Sequence, residues 1–198
     1  MRISKIQGIK KMLSLPASIA VEDFLLSHLK PTRDVAMGLY DIFTKDDVNM
    51  RFWLRGEKIK SVDVVLDGIT RAYMCDNMYM YQILHNDLLV GEIGVSAFSE
   101  KNKSVCIDYW LAPIVRGQAL IDKFLTVVEN VVFNNIDINK VVLRIDVDNT
   151  SSRKVAARNG YVLDGILRAE CVWHDGLFHD VCEYSKLKSE WIKEKRNA

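Results

Sequence analysis

The sequence predicts an α/β fold: one mixed sheet with helices on both of its faces. Three observations carry this. The hydrophobic period alternates between about 3.6 and 2 along the chain, in the order β-α-α-β-β-β-α-β-α-β-β. The stretch 141–145 is apolar except at Arg144, as in a strand buried on both faces. Two strands, 105–111 and 141–147, each run into a turn that opens a helix.

The elements follow in order. Residues 24–29 read as a strand closed by Pro31. Thr32 or Asp34 then caps a helix to about Lys45, with Met37, Tyr40 and Phe43 on its apolar side. A second helix over 59–75 carries Ile59, Val62, Leu66 and Ile69. Strands follow at 79–84, 88–98 and 105–111, with Asn86-Asp87 as a turn and Gly91 and Gly94 interrupting the longest. A helix over 116–133 turns Leu120, Phe124, Val127, Val128 and Val131 inward. After the strand at 141–145, a short helix over 152–158 ends at Asn159-Gly160, a left-handed cap. Two last strands, 161–173 and 177–187, are joined by His174-Asp175-Gly176.

The chain has 198 residues, enough for one domain with its own core, and a formal net charge of +1. So balanced a charge gives no global pull toward nucleic acid or a membrane surface. Cys75, Cys106, Cys171 and Cys182 form no CxxC pair and read as reduced thiols, which points to a cytoplasmic protein. No apolar run reaches the length of a membrane span. Residues 1–20 form a basic extension, with Arg2, Lys5, Lys10 and Lys11 preceding any acid; 21–190 form the domain, and 191–198 a polar tail.

The chemistry gathers at the two helix starts. A helix opening at Arg116-Gly117-Gln118-Ala119-Leu120-Ile121 leaves backbone N–H groups unpaired, and their partial charge suits a diphosphate. Ordinary loop chemistry explains the same glycine. Asn149 and Ser152 in Asp148-Asn149-Thr150-Ser151-Ser152 are cap residues that could also meet an amide-rich ligand.

In order and spacing, four stretches resemble the GNAT acetyltransferases, specifically the Rim-type enzymes that acetylate ribosomal-protein N-termini. They are Ile107-Asp108-Tyr109-Trp110-Leu111-Ala112-Pro113, Arg116-Gly117-Gln118-Ala119, the run from Val147 to Ala156, and Asn159 to Gly165 with Leu167-Arg168. The resemblance covers roughly 24–188. It implies a mostly antiparallel seven-stranded sheet whose central strands, 105–111 and 141–147, splay apart to receive acetyl-CoA. It further implies that the Leu111 N–H faces the thioester carbonyl. Arg116 and the backbone from Gly117 through Gln118, Ala119 and Leu120 to Ile121 would hold the diphosphate. Asn149 would bond the pantetheine, and Ser152 would protonate the departing thiolate. The implied acceptor is a primary amine, with a protein N-terminus leading and a small amine next. An acyl-CoA-binding protein without turnover is the contrasting reading. The closing hairpin could pair with a second copy, as in Rim-type dimers.

Two departures matter. Alanine stands at 119 where the family has glycine, which costs energy if φ is positive there. The family's proton-accepting glutamate is Cys106 here, and its glycine is Asp108. Residues two apart on a strand share a face, so a carboxylate has moved about 7 Å along it. Asp108 is thus expected either as the base or as a contact for the substrate cation. Cys106 is expected as strand packing, with a nucleophilic thiol as the alternative. An α-amine, with a pKa near ~8 against ~10.4 for lysine, tolerates a weak base better.

Phe52 and Trp53 are candidates either for the acceptor's mouth or for core packing, and Tyr184 either reaches the site or simply packs. His174, His179, Asp175 and Asp180 flank a turn at a spacing that does not converge on one ion, so no metal is expected.

Overall fold

A computed structural model describes residues 14–46, 59–173 and 175–197. Its elements are β1 (Ser18–Val21), β2 (Phe24–His28), α1 (Arg33–Lys45), α2 (Val62–Tyr73), β3 (Met78–His85), β4 (Leu88–Ser99), β5 (Ser104–Leu111), α3 (Leu120–Asn135), β6 (Lys140–Asp146), α4 (Thr150–Arg158), β7 (Val162–Val172), β8 (Phe178–Leu187) and α5 (Lys188–Asn197). A single 3₁₀ turn, Pro113–Val115, follows β5.

The sheet order is β1-β2-β3-β4-β5-β6-β8-β7. Every pairing is antiparallel except β5 with β6. That parallel pair holds only from Ser104↔Lys140 to Cys106↔Val142. Beyond it β5 runs on to Leu111 and β6 to Asp146 without pairing, so the centre of the sheet opens as a wedge. On its other edge β5 stays paired with β4 as far as Gly91↔Leu111. A Cβ at Gly91 would lie 2.5 Å from the Trp110 carbonyl oxygen, so glycine lets the two strands stay this close.

The sheet has eight strands where the sequence suggests seven. The extra one, β1, lies at the end of the stretch read as an extension and runs one residue past it. It pairs with β2 through a tight turn at Glu22 and Asp23. Leu15 is buried in the main core, and Tyr81 Oη donates to Pro16 O at 2.7 Å. Four residues without a clear alternation leave no readable strand signal; the pairing edge of β2 creates it.

Two apolar layers flank the sheet. Under α3 and α4 lie Phe124, Leu125, Val128, Val132 and Phe133, packed on Tyr81, Ile93, Ile107 and Leu143. Val127 and Val131, expected inward, sit partly buried at the margin. Under α1 and α2 lie Leu29, Ala36, Leu39, Val65, Ile69, Met80 and Trp110. Thr32 and Ser61 cap these two helices through Val35 N–H and Val64 N–H, each at 3.3 Å. At the C-terminus, Trp191 of α5 stacks on Phe133 and donates to Asn130 Oδ1 at 2.9 Å.

Candidate active site

The wedge is a consequence of strand geometry. Ala112 N–H donates to Val90 O at 2.8 Å, so by alternation the Leu111 N–H points the other way, into the opening between β5 and β6. Below it, the chain turns through Gly117 at φ +78 and Ala119 at φ +55 before α3 begins. Those two positive φ values explain why the helix starts four residues later than its period suggests. They also array successive amides around one concavity, which together with the start of α3 is a setting for an anion. Alanine here is strained by roughly 1–2 kcal/mol, the ordinary cost of a left-handed residue with a Cβ.

Arg116 does not face that concavity in the way its position suggested. Its Nη1 donates to Asp46 Oδ1 at 3.0 Å, its Nη2 pairs with Asp46 Oδ2, and its Nε donates to Leu111 O at 2.7 Å. Asp46 is only 5% exposed, so the guanidinium is spent inside, tying the end of α1 to the end of β5. Lys154, exposed on α4, lines the same cavity from the opposite side. Asp122 braces the turn by accepting from Arg158 Nη2 at 3.0 Å and Asn159 Nδ2 at 2.7 Å.

Across the wedge, Asn149 Oδ1 accepts from Ser152 N–H at 3.2 Å and caps α4. That bond uses the amide's oxygen and leaves its NH₂ group as a donor. Ser152 lies beside Tyr109, whose hydroxyl has no hydrogen bond of ordinary geometry among the described residues. Burial drives the Tyr109 phenol well above its usual range, and the Ser152 hydroxyl offsets part of that. Tyr109 was not singled out from sequence.

The opposite face of the sheet collects a second set of groups. The register Glu92↔Trp110, Gly94↔Asp108 and Ser96↔Cys106 puts Glu92, Ser96, Cys106, Asp108 and Trp110 on one face, toward α1 and α2. Asp108 Oδ2 accepts from Ser96 Oγ at 2.7 Å. Burial, with Asp108 beside it, pushes the Cys106 thiol up to about 11, which disfavours the thiolate a nucleophile needs. Glu92 is 4% exposed, and one of its oxygens accepts from Trp110 Nε1 at 2.7 Å. Burial raises its carboxyl to about 7, against the smaller pull of that bond. Its sequence signal was a lone acid inside the apolar run 88–95.

One cavity of about 1370 Å³ joins the two sides through the wedge. Gly117, Ala119, Leu120, Ile121, Asn149 and Ser152 line one end, and Glu92, Cys106, Asp108 and Trp110 the other, with Leu111 and Arg116 between. Gln118, exposed on the turn, and Tyr184 are not among the described lining residues. Tyr184 pairs in register with Leu143 and lies on the α3 and α4 face, where its hydroxyl accepts from Arg153 Nε at 3.4 Å. It is therefore separated by the sheet from Asp108. Phe52, Trp53 and His174 lie outside the described residues.

His179 meets one acid of the turn, Asp175, through Nε2 at 3.1 Å, and one that the turn spacing did not suggest. Its Nδ1 lies 2.9 Å from buried Asp146, whose carboxylate also accepts from Trp173 Nε1 at 2.6 Å and Asp148 N–H at 2.8 Å. Asp146, Asp148 and His179 place ligand atoms within 4.8 Å of one another. The Asp146 carboxylate is already used in fastening the end of β6 to the last hairpin.

A family model described as an acetyltransferase (GNAT) domain matches residues 24–162. The chain is 30% identical over 133 residues to YdaF of Bacillus subtilis, provisionally named as a ribosomal N-acetyltransferase; the match covers 67% of this chain and 72% of that protein. It is 31% identical over 108 residues to the ribosomal-protein-serine acetyltransferase of Escherichia coli, covering 54% of this chain and 60% of that one. Among solved structures it is similar to RimL, a ribosomal α-N-protein acetyltransferase in complex with coenzyme A, at a TM-score of 0.74 and 21% identity over 89% of this chain and 98% of that one. At that identity the last likeness speaks for the fold. Among the described residues, no helix is long and apolar enough to cross a membrane.

Proposed function

The chain belongs to the GNAT acetyltransferase family, and on that premise we propose that it moves an acetyl group from acetyl-CoA to a protein N-terminal α-amine by direct attack in a ternary complex. The observation that carries this reading is the single cavity running through the wedge, with amide donors at one end and carboxylates at the other. A cytoplasmic setting is part of the same reading, since acetyl-CoA and nascent protein termini meet there.

The roles follow from position. Leu111 N–H receives the negative charge that develops on the thioester oxygen. The amides from Gly117 to Ile121 hold the diphosphate, with Lys154 supplying the charge that Arg116 spends on Asp46. Asn149 Nδ2 donates to a pantetheine carbonyl. On the α1 and α2 side, Asp108 helps hold the acceptor's cation. The amine nitrogen gains a bond to the acetyl carbon as the carbon–sulfur bond breaks. It loses two protons overall. One goes to the departing sulfur, with Ser152 as the donor that is then reprotonated, and the other leaves through a carboxylate to solvent.

A small-molecule amine is the second reading for the acceptor, favoured by how far the carboxylate end of the cavity lies inside the α1 and α2 layer. The test is a thermal-shift titration with acetyl-CoA followed by thiol release across an amine panel that includes ribosomal-protein N-terminal peptides. A rise in Tm with acetyl-CoA and peptide-dependent thiol release are expected. No shift at millimolar acetyl-CoA refutes the donor site. A shift without release reduces the chain to an acyl-CoA-binding protein.

A further inference from the structure

Glu92 stands at the acceptor end with a buried oxygen left over among the described residues. It lies on β4, buried among residues of the α1 and α2 layer, and its Oε2 is held by the Trp110 indole. Its Oε1 is buried and has no hydrogen-bond partner among the described residues. A buried carboxylate oxygen without a donor costs free energy unless a ligand supplies one. The side chain lines the cavity.

Among the described residues, the charged groups around it are already engaged. Asp108, on the neighbouring strand and diagonal to Glu92 at roughly 7–8 Å, is engaged by Ser96. Cys106 on the same strand is a neutral thiol. On β6, Arg144 pairs with Glu183 at 3.1 Å, and Asp146 is held by Trp173. From α2, Arg71 pairs with Asp67 at 2.8 Å, and at the end of α1 Arg116 pairs with Asp46. Among the described residues, the cations lining the cavity near Glu92 thus already face other acids. Around it the walls are apolar: Leu39, Val65, Ile69, Met80 and Trp110.

We propose that Glu92 receives the ammonium of the acceptor and takes its proton, and that the acceptor carries this one charge on an apolar body. The inference rests on the acetyl-transfer reading and names its substrate class. Oε1 accepts the N–H of the bound cation, which loses H⁺ to the carboxylate and leaves a neutral amine beside the Leu111 amide. A second charge directed away from Asp108, against Leu39, Val65 or Ile69, would be buried with no partner among the described residues, so polyamines are expected to bind more weakly. An aliphatic monoamine and a peptide whose first residue is apolar share the required chemistry.

Calorimetric titration of the CoA-saturated full chain distinguishes these sources, using n-hexylamine, a Leu-first peptide, an Asp-first peptide and spermidine. The hexylamine or the Leu-first peptide is expected to bind at pH 8, and spermidine and the Asp-first peptide at least about tenfold more weakly. Affinity falls about tenfold from pH 8 to pH 6, as the carboxylate takes up a proton. Glu92→Gln keeps the Trp110 bond and weakens amine binding by about tenfold or more. It also lowers kcat/KM on the order of 10²- to 10⁴-fold and removes the ionisation near neutrality. Asp108→Asn keeps that ionisation.

Glu92's own titration adds one pH-dependent contribution to stability. Its folded carboxyl at about 7 lies above its unfolded value of 4.5, so the native state loses stability as pH rises through 7. Glu92→Gln removes that loss, and its Tm at pH 8 equals or exceeds that of the wild type. Equal amine binding by Glu92→Gln, no binding of either monoamine by the wild type, or tighter binding of spermidine overturns the proposal. Should acetyl-CoA and CoA fail to bind, the acetyl-transfer reading falls separately, and the same titration of the CoA-free chain still reports on Glu92.

Discussion

At residue 119 a single methyl group works against the turn that opens α3. The backbone there is left-handed at φ +55, and the Cβ of alanine crowds the following carbonyl in that conformation. Gly117, two residues earlier at φ +78, has no such penalty and nothing within 4 Å of where its Cβ would be. Ala119→Gly therefore removes strain without disturbing a packed neighbour, at the cost of a more flexible unfolded chain. The net expected gain is about 1 kcal/mol in urea unfolding, together with tighter acetyl-CoA binding by titration calorimetry. Loss of stability would mean that the left-handed turn is not the native one. Cys106 teaches the opposite lesson about single positions. Its place in the family pattern suggests chemistry, yet its burial beside Asp108 keeps the thiol protonated.

Among the elements, α5 and β8 are joined to α3 by a buried charge cluster. Lys186 Nζ lies 3.0 Å from Glu129 Oε2 and 3.1 Å from Glu194, and it sits over the Tyr161 ring at 5.1 Å from the centroid. Lys186 is 3% exposed and Glu129 2%, so neither can turn to water. Burial raises the Glu129 carboxyl, and Lys186 is the largest force opposing that rise. Removing the lysine alone leaves a buried acid without its cation. Lys186→Met should cost about 3–5 kcal/mol in urea unfolding, and pairing it with Glu129→Leu should recover most of that loss. A cost under about 1 kcal/mol for the single change would show that the cluster is better hydrated than its burial implies.

The whole molecule leaves β7 at one edge of the sheet, with Val162, Leu163 and Ile166 exposed along it and Phe178 72% exposed at the start of β8. An apolar edge with unpaired backbone groups is a place for a second copy of the chain to add its own edge. Sedimentation at micromolar concentration should detect a dimer that Ile166→Lys returns to monomer; a wild type that stays monomeric would leave this edge without a partner.

The order of elements, the double-sided burial of β6, the caps Thr32 and Asn149 and the glycine-containing turn could all be read from residues, because periodicity and capping are local properties. The places of Leu111, Asn149 and Ser152 beside the wedge were implied by the family resemblance, and these residues line the cavity, whereas Gln118 is not among its described lining. Three things came only from tertiary structure. β1 exists because β2 offers it an edge. Arg116 faces inward because Asp46, seventy positions away, is buried against it. Glu92, two strands from β6 and set between Gly91 and Ile93, has its proposed role set by what surrounds it across the sheet. Burial and unmet hydrogen bonds are properties of neighbours far apart in the chain, and no local pattern encodes them.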